Sequence, residues 1–191
     1  MKRLFLGLLF TSFISFSQST ESLKIAVKKL YEANYLMDFE VIASHSYLAI
    51  IEPVVIETLL KDIEKHYEND EFRLRLQLET VSFQYGEIKK IEAKSFCVIS
   101  FRNPMRYFFE NKLTAATAVE KTALLKKINK TKEVVFEPKR NSFNVKKITT
   151  YVAVMDETTS NKWRFLNFDN PTEYQIFKSF FGESIQKELG L

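Results

Sequence analysis

The chain has 191 residues, of which 46% are hydrophobic, and a formal net charge of +4. This length suits a single domain that buries its own core, and so small a charge is not the footprint of a nucleic-acid-binding protein. Because Cys97 is the only cysteine, an intrachain disulfide is excluded and the fold must depend on its core.

The first 17 residues are predicted to be a secretory signal peptide. Lys2 and Arg3 precede a mostly apolar run, residues 4–16, and Ser17 places a small residue at its exit. This run is shorter than the roughly 20 residues that span a bilayer. We therefore expect an exported protein, periplasmic or secreted, in which residues 18–191 form a single α+β domain with no transmembrane segment after cleavage.

Three amphipathic helices are predicted in the N-terminal third. Apolar residues recur at helical spacing between Leu23 and Met37, which predicts the first helix. Asp38 is a suitable N-cap for a second helix over residues 38–51. Pro53 suits the first turn of a third helix, which should end near residues 66–70.

Alternation with a period of two replaces the helical pattern at residue 72. Residues 72–81 alternate apolar with charged or polar side chains, as expected of a strand with one solvated face. Residues 88–101 predict one or two further strands. Asn103 and Pro104 should interrupt the sheet before an edge strand at residues 105–110.

The remaining chain predicts a helix, more strands and a closing helix. Ala and Leu are dense in residues 114–127, which predicts a helix inserted between strands. Strands are predicted at residues 132–138, 143–157 and 162–168, and a last helix from residue 171. Helices followed by a run of strands argue for an α+β fold with an antiparallel sheet, one face of which the helices cover.

Three stretches resemble a known architecture, the cystatin-like/NTF2-like cone found in small secreted proteins of Bacteroidetes-type bacteria. They are "MDFEVIASHSYLAIIE", "TTYVAVMDETTSNKWRFLNF" and "YQIFKSFF". The resemblance implies N-terminal helices packed on a strongly curved antiparallel sheet, with a C-terminal helix. It implies no activity, because this cone hosts enzymes, binding modules and scaffolds alike.

The sequence shows no catalytic constellation, and its weak candidates cluster in the predicted second helix. His45 could face the cone as a general base, with Asp38 or Tyr47 to orient it. The other interpretation, which we favour, is a partly buried histidine bonded to a backbone carbonyl. His66 near a helix end complements the helix dipole and needs no function.

No cofactor or metal site is expected. Two histidines 21 residues apart and one distant cysteine do not have zinc-site spacing, and no glycine-rich phosphate loop occurs. A lysine-rich stretch, residues 126–147, could contact anionic lipid or polysaccharide, although a solvated face is the simpler interpretation.

The chain holds 18 Phe, 8 Tyr and 1 Trp, which could fill a core or line an apolar pocket. Trp163 is expected to close a core, with Glu79 as a further residue of the core or pocket lining. The leading hypothesis is a non-enzymatic binding or interaction module whose partner is a small apolar ligand or a protein. The alternatives are a small-molecule enzyme built around His45 and an envelope-interaction protein that uses residues 126–147.

Overall fold

The computed structural model describes residues 20–48, 56–77 and 79–191. The predicted signal peptide, residues 1–17, and the predicted helix-starting Pro53 lie outside the described residues. None of the helices in the described ranges is long and apolar enough to cross a membrane.

Three helices with bounds in the described ranges precede the sheet, in the N-terminal third where helices were predicted. Helix α1 occupies residues 20–36, α2 Phe39–His45 and α3 Ile56–Tyr67. Asp38 caps α2, since its Oδ1 accepts a hydrogen bond from the backbone N–H of Val41 at 3.1 Å. Helix α2 ends well before residue 51, because the chain leaves it to pair with β7. There the N–H of Tyr47 donates to the carbonyl of Phe165 at 2.9 Å.

A curved antiparallel sheet forms the centre of the molecule, so the predicted α+β class and sheet type are confirmed. Its strands are β1 Phe72–Leu76, β2 Gln84–Tyr85, β3 Lys89–Ile91, β4 Lys94–Phe109, β5 Glu133–Glu137, β6 Ser142–Met155 and β7 Arg164–Asn167. The long strands β4 and β6 pair along almost their whole length. Strands β1, β2 and β3 pair with the other edge of β4, and β5 and β7 with the other edge of β6.

Two more helices complete the fold. The predicted inserted helix is α4, Ala115–Ile128, capped by Thr114, and the closing helix is α5, Pro171–Glu188, capped by Asn170. Helix α5 kinks at Gly182, whose φ of 75° and ψ of 171° are non-helical.

The predicted break at Asn103 and Pro104 is wrong, because β4 continues through both residues and lies inside the sheet, not at its edge. The carbonyl of Pro104 faces β1 and accepts a hydrogen bond from the N–H of Gln77 at 2.8 Å. Its nitrogen faces the same edge, just beyond Leu76, the last residue of β1 that pairs with β4. The proline therefore forgoes only the reciprocal bond of this last pair, at the end of β1, and its pairing with β6 is intact.

The expectation that helices cover one face of the sheet is also wrong. Cys97 and Ile99 of β4 face α1 and pack in one cluster with Leu23 and Val27. The alternate residues face the other way and form a separate cluster with Tyr47 and α5. Its buried members are Tyr47, Phe96, Val152, Val154, Leu166, Phe177, Phe181 and Ile185. Because both faces of the β4–β6 pair are apolar, both need a covering layer.

Candidate functional site

A cavity of about 460 Å³ lies between the three N-terminal helices and the concave face of the sheet. Its helical wall comes from α1, α2 and α3, and its floor from alternate residues of β1, β4, β6 and β7. The segment 167–173, between β7 and α5, completes the rim. A concave site of this volume with mostly apolar walls is the usual setting for a small organic ligand.

Aromatic rings form a continuous wall on the sheet side. The ring of Phe101 lies 5.7 Å from that of Tyr31 and 5.8 Å from that of Tyr151, and Tyr151 lies 6.3 Å from Phe165. The imidazole of His45 extends this wall, stacked at 6.5 Å on Phe165. Edge-to-face and stacked contacts of this kind hold the rings in fixed orientations.

His45 lines the cavity, on the side of α2 that faces the sheet. Its Nδ1 lies 2.8 Å from the carbonyl oxygen of Val41, one turn earlier, and 3.1 Å from Oγ of Ser44. A carbonyl can only accept, so Nδ1 carries the proton and Nε2 keeps its lone pair. Burial lowers the pKa of the ring, which keeps it neutral at neutral pH.

Glu173 is a site residue that the sequence analysis did not identify. Its Oε2 accepts from the N–H of Asn167 at 2.7 Å, and its Oε1 accepts from the side-chain amide of Asn170 at 3.2 Å. Burial raises the pKa of this carboxyl to about 7 despite those two bonds. Glu173 also lines the cavity. Its side chain can therefore be largely surrounded by protein and still be reached by a bound molecule.

Tyr151 faces this carboxyl from β6. Burial, followed by the nearby hydroxyl of Tyr67 and the carboxylates of Glu173 and Asp169, raises the pKa of Tyr151 well above its ordinary value. Tyr151 therefore stays a neutral hydroxyl. Tyr67 does the same, because burial raises its pKa, and its hydroxyl donates to Oδ1 of Asn34.

An ion pair stands at the rim beside these groups. Nζ of Lys147 lies 2.8 Å from Oδ2 of Asp169, and both side chains are mostly buried. The same two residues also line a smaller polar cleft of about 180 Å³ next to the cavity. The pair therefore forms part of the wall between the two spaces.

Among the described residues, two buried oxygens on the cavity wall have neither a hydrogen bond nor an ion pair. Asn103, only 8% exposed, donates from Nδ2 to Oγ1 of Thr149 at 3.3 Å, which leaves Oδ1 unpartnered. The hydroxyl of Tyr31 is likewise unpartnered. Buried polar groups normally have partners, so each of these oxygens is placed to meet a polar group of a ligand or a water molecule.

The other predicted site residues lie away from the cavity. Asp38 is the cap of α2, and Tyr47 is buried on the opposite face of the sheet, where its ring lies 5.5 Å from that of Phe181. Glu79 is exposed and pairs with Lys146 at 2.9 Å. Of the weak catalytic candidates, only His45 therefore reaches the cavity.

Trp163 lies beside the cavity, in the cluster formed with α1, and is 4% exposed. Its Nε1–H donates to Oγ of Ser22 at 3.2 Å. His66 lines the rim, and its accessible surface shows that it is not an interior residue. The pKa of His66 is lowered mainly by its low-polarity surroundings and to a smaller extent by the charge of Lys147. His66 is therefore also neutral at neutral pH.

The lysine-rich stretch does not form one unpaired basic surface. Lys146 pairs with Glu79 and Lys147 with Asp169. Lys126 and Lys127 lie in the last turn of α4. Within the described ranges, no group of three or more His, Cys, Asp and Glu side chains is arranged to hold a metal ion.

Comparisons with known proteins identify no family for this chain. No family model matches it, and no curated protein matches it. Among solved structures it is similar to a dehydratase candidate of the NTF2-like family from Streptomyces avermitilis. The sequence identity is 11% and the TM-score 0.35, over 78% of this chain and 93% of that chain.

Proposed function

We propose that the protein binds a small, mostly apolar organic molecule in the cavity and does so outside the cytoplasm. The observation that carries this proposal is the ring-lined cavity of about 460 Å³ beneath the N-terminal helices. Large rings with a few polar groups among them are what small-molecule sites present. Export is supported by the basic start and apolar run of residues 1–17.

Binding without turnover is the simpler use of this cavity. A catalytic base is commonly oriented by a third group, often a carboxylate. Among the hydrogen bonds of the described residues, those of His45 go to Val41 and Ser44, and none comes from an acid. The wall also carries hydroxyl and amide groups, three carboxyls and Lys147, which suit recognition of a ligand.

Binding can be tested by fluorescence titration with Nile red, a neutral apolar dye. Thr172 and Gln175 are both exposed on α5, but only Thr172 lines the cavity. We expect saturable binding by the wild type, weaker binding by Thr172→Trp, which narrows the mouth, and unchanged binding by Gln175→Trp. Absence of saturable binding, or equal binding by all three proteins, would overturn the proposal.

Export has a separate test. The full chain is expressed in a bacterial host, and the protein recovered from the periplasm is analysed by intact mass and N-terminal sequencing. We expect a chain that begins at Gln18. A chain that stays in the cytoplasm with residues 1–17 attached would contradict export and leave ligand binding unaffected.

An acid–base enzyme is the second candidate, favoured by the tautomer of His45. With Nδ1 bound to Val41, the lone pair of Nε2 is available to take a proton from a bound molecule. A panel of small carbonyl and hydroxy compounds tests this candidate. Turnover that is lost in His45→Ala and kept in His66→Ala, at the rim, would replace the binding proposal with this one.

A further inference from the structure

We propose that the cavity selects an organic cation, a small molecule with an ammonium group on an apolar body. The inference rests on the proposed binding function and adds the charge of the ligand. Three features of the wall carry it: its balance of charges, its ring faces and its unpartnered acceptors.

Acidic groups outnumber basic ones on the wall. Asp62, Asp169 and Glu173 line the cavity, whereas Lys147 is the one lysine or arginine among the described lining residues. Lys147 is engaged by Asp169 at 2.8 Å. The two histidines of the wall have lowered pKa values and add no charge at neutral pH. Within the described ranges, Glu173 is therefore left with the amides of Asn167 and Asn170 as partners and with no lysine or arginine paired to it.

The ring wall suits the same ligand. The rings of Tyr31, Phe101, Tyr151 and Phe165 follow one another at centroid distances of 5.7–6.3 Å. Aromatic faces carry a negative quadrupole and attract ammonium groups, more strongly where water is excluded. The same rings bury an apolar body, so one surface serves both parts of the molecule.

The unpartnered acceptor supplies the third feature. Oδ1 of Asn103 has no hydrogen-bond partner among the described residues and can only accept a hydrogen bond. An ammonium group carries hydrogen-bond donors and no acceptor, so it can donate to both Asn103 and Glu173. An anionic ligand would place an acceptor against both oxygens and against the carboxylates of the rim.

The affinity of the cavity for a cation should depend on pH through the ionisation of Glu173. Burial raises its pKa to about 7, so this carboxyl is partly protonated at neutral pH. Its neighbours are Tyr151 from β6, which stays neutral, and Asp169, which is paired with Lys147. On the helical wall of the same cavity lie Tyr67 of α3, which is neutral, and the two histidines. A cation favours the ionised carboxylate, so affinity should rise as pH increases through this range.

Three probes of one skeleton separate charge from apolar contact. They are 2-phenylethylamine, which is cationic throughout the range used, neutral 2-phenylethanol and anionic 3-phenylpropanoate. Calorimetric titration of the full exported protein at about pH 8 should show amine binding about tenfold tighter than alcohol binding, with the anion weakest. Amine affinity should fall severalfold at about pH 6, while alcohol affinity stays constant.

Glu173→Gln should remove most of the amine preference, and Glu157→Gln, the same change at an exposed carboxylate, should keep it. If the alcohol or the anion binds as tightly as the amine, the cation proposal is overturned and the binding function stands. If none of the probes and no Nile red binds, both proposals fail. Should Glu173→Gln not fold, the wild-type pH profile decides, since amine affinity that is flat with pH overturns the cation proposal.

Discussion

The backbone N–H of Asn167 donates a hydrogen bond to Oε2 of Glu173 across 2.7 Å and so ties the end of β7 to the first turn of α5. This bond holds an acidic group at the cavity rim, where burial raises its pKa to about 7 from an ordinary 4.5. The carboxyl is therefore both a structural link and the most strongly perturbed acid of the cavity wall.

Stability should fall with rising pH because of this residue. The folded state holds the proton of Glu173 up to a higher pH than the unfolded chain, so ionisation between about pH 4.5 and 7 destabilises the fold. We expect the stability of Glu173→Gln relative to wild type to increase by roughly 2 kcal/mol from about pH 5 to pH 8. Urea denaturation at several pH values measures it. Glu157→Gln is the control, and a difference constant with pH would contradict the prediction.

The hairpin tip between β6 and β7 holds an ion pair between a buried carboxylate and a lysine whose side chain is 29% exposed. Asp156, with a side chain 4% exposed, accepts from Nζ of Lys94 at 2.6 Å and from Oγ1 of Thr158 at 2.6 Å. Burial alone would raise the pKa of Asp156, but these bonds together lower it. Its stabilisation is therefore present above the ordinary pKa of 3.8 and is lost as pH falls through the lower folded value.

Removing this carboxylate leaves Lys94 without its partner. We expect Asp156→Ala to cost roughly 3 kcal/mol of unfolding free energy at neutral pH, measured by chemical denaturation. Glu157→Gln, at the neighbouring exposed position, should change stability by less than about 0.5 kcal/mol. Equal effects of the two substitutions would show that the ion pair does not stabilise the tip.

Gly182 allows the kink in α5. Its φ of 75° and ψ of 171° fall where residues with a Cβ are strained, although a Cβ there would touch nothing within 4 Å. We expect Gly182→Ala to destabilise the protein by about 1–2 kcal/mol through backbone strain alone. Thermal unfolding measures the loss. Ser179→Ala, an exposed site earlier in the same helix, should be neutral, and a stabilised Gly182→Ala would contradict the assigned backbone conformation.

His45 should be neutral at pH 7, with its proton on Nδ1. The hydrogen bond to Val41 fixes that tautomer, and burial lowers the pKa of the ring below 6.5. The unfolded chain therefore takes up a proton first, so this residue reduces stability as pH falls below about 6.5. Imidazole ¹⁵N shifts in the His66→Gln variant, where one histidine remains, report both properties. A spectrum with the proton on Nε2 would remove the basis of the enzyme candidate.

Trp163 should report on the core and not on the ligand. Its ring is 4% exposed and lies outside the cavity lining. We expect blue-shifted emission, weak quenching by acrylamide and little change when a ligand binds. Ser22→Ala removes the acceptor of Nε1–H and should cost about 1 kcal/mol. Strong quenching in the folded protein would contradict the burial of this ring.

Periodicity was enough to predict most elements, because it records which side chains are buried. The alternation around Leu74 and Leu76 predicted β1, and the run from Phe143 to Met155 predicted β6. It failed at Pro104, where the ring forgoes one hydrogen bond at the end of β1 and leaves the pairing with β6 intact. The sequence of a strand does not show which strands pair with it. Rules based on the local sequence therefore overestimate the cost of proline at this position.

The site was harder to predict than the fold. The Asn-Pro-Thr-Glu stretch at residues 170–173 marks a helix start and could have drawn attention to Glu173 as a capping residue. Its place at the cavity depends on where β7 ends, which is a tertiary property. Tyr47 shows the reverse error, since α2 ends before it and the chain carries it to the other face.

The gap between β1 and β2 along one edge of β4 has a consequence for the width of the cavity. Strand β1 ends at Leu76, opposite Met105, and β2 begins its pairing at Ser100, so no strand of the described ranges pairs with residues 101–104 on that edge of β4. Within the described residues, the hydrogen bond on that side is the one from the N–H of Gln77 to the carbonyl of Pro104, at the end of the gap. Phe101 and Asn103 lie on the cavity floor at this point. We therefore expect the sheet to bend most easily at the floor, so that a change in cavity volume would begin there.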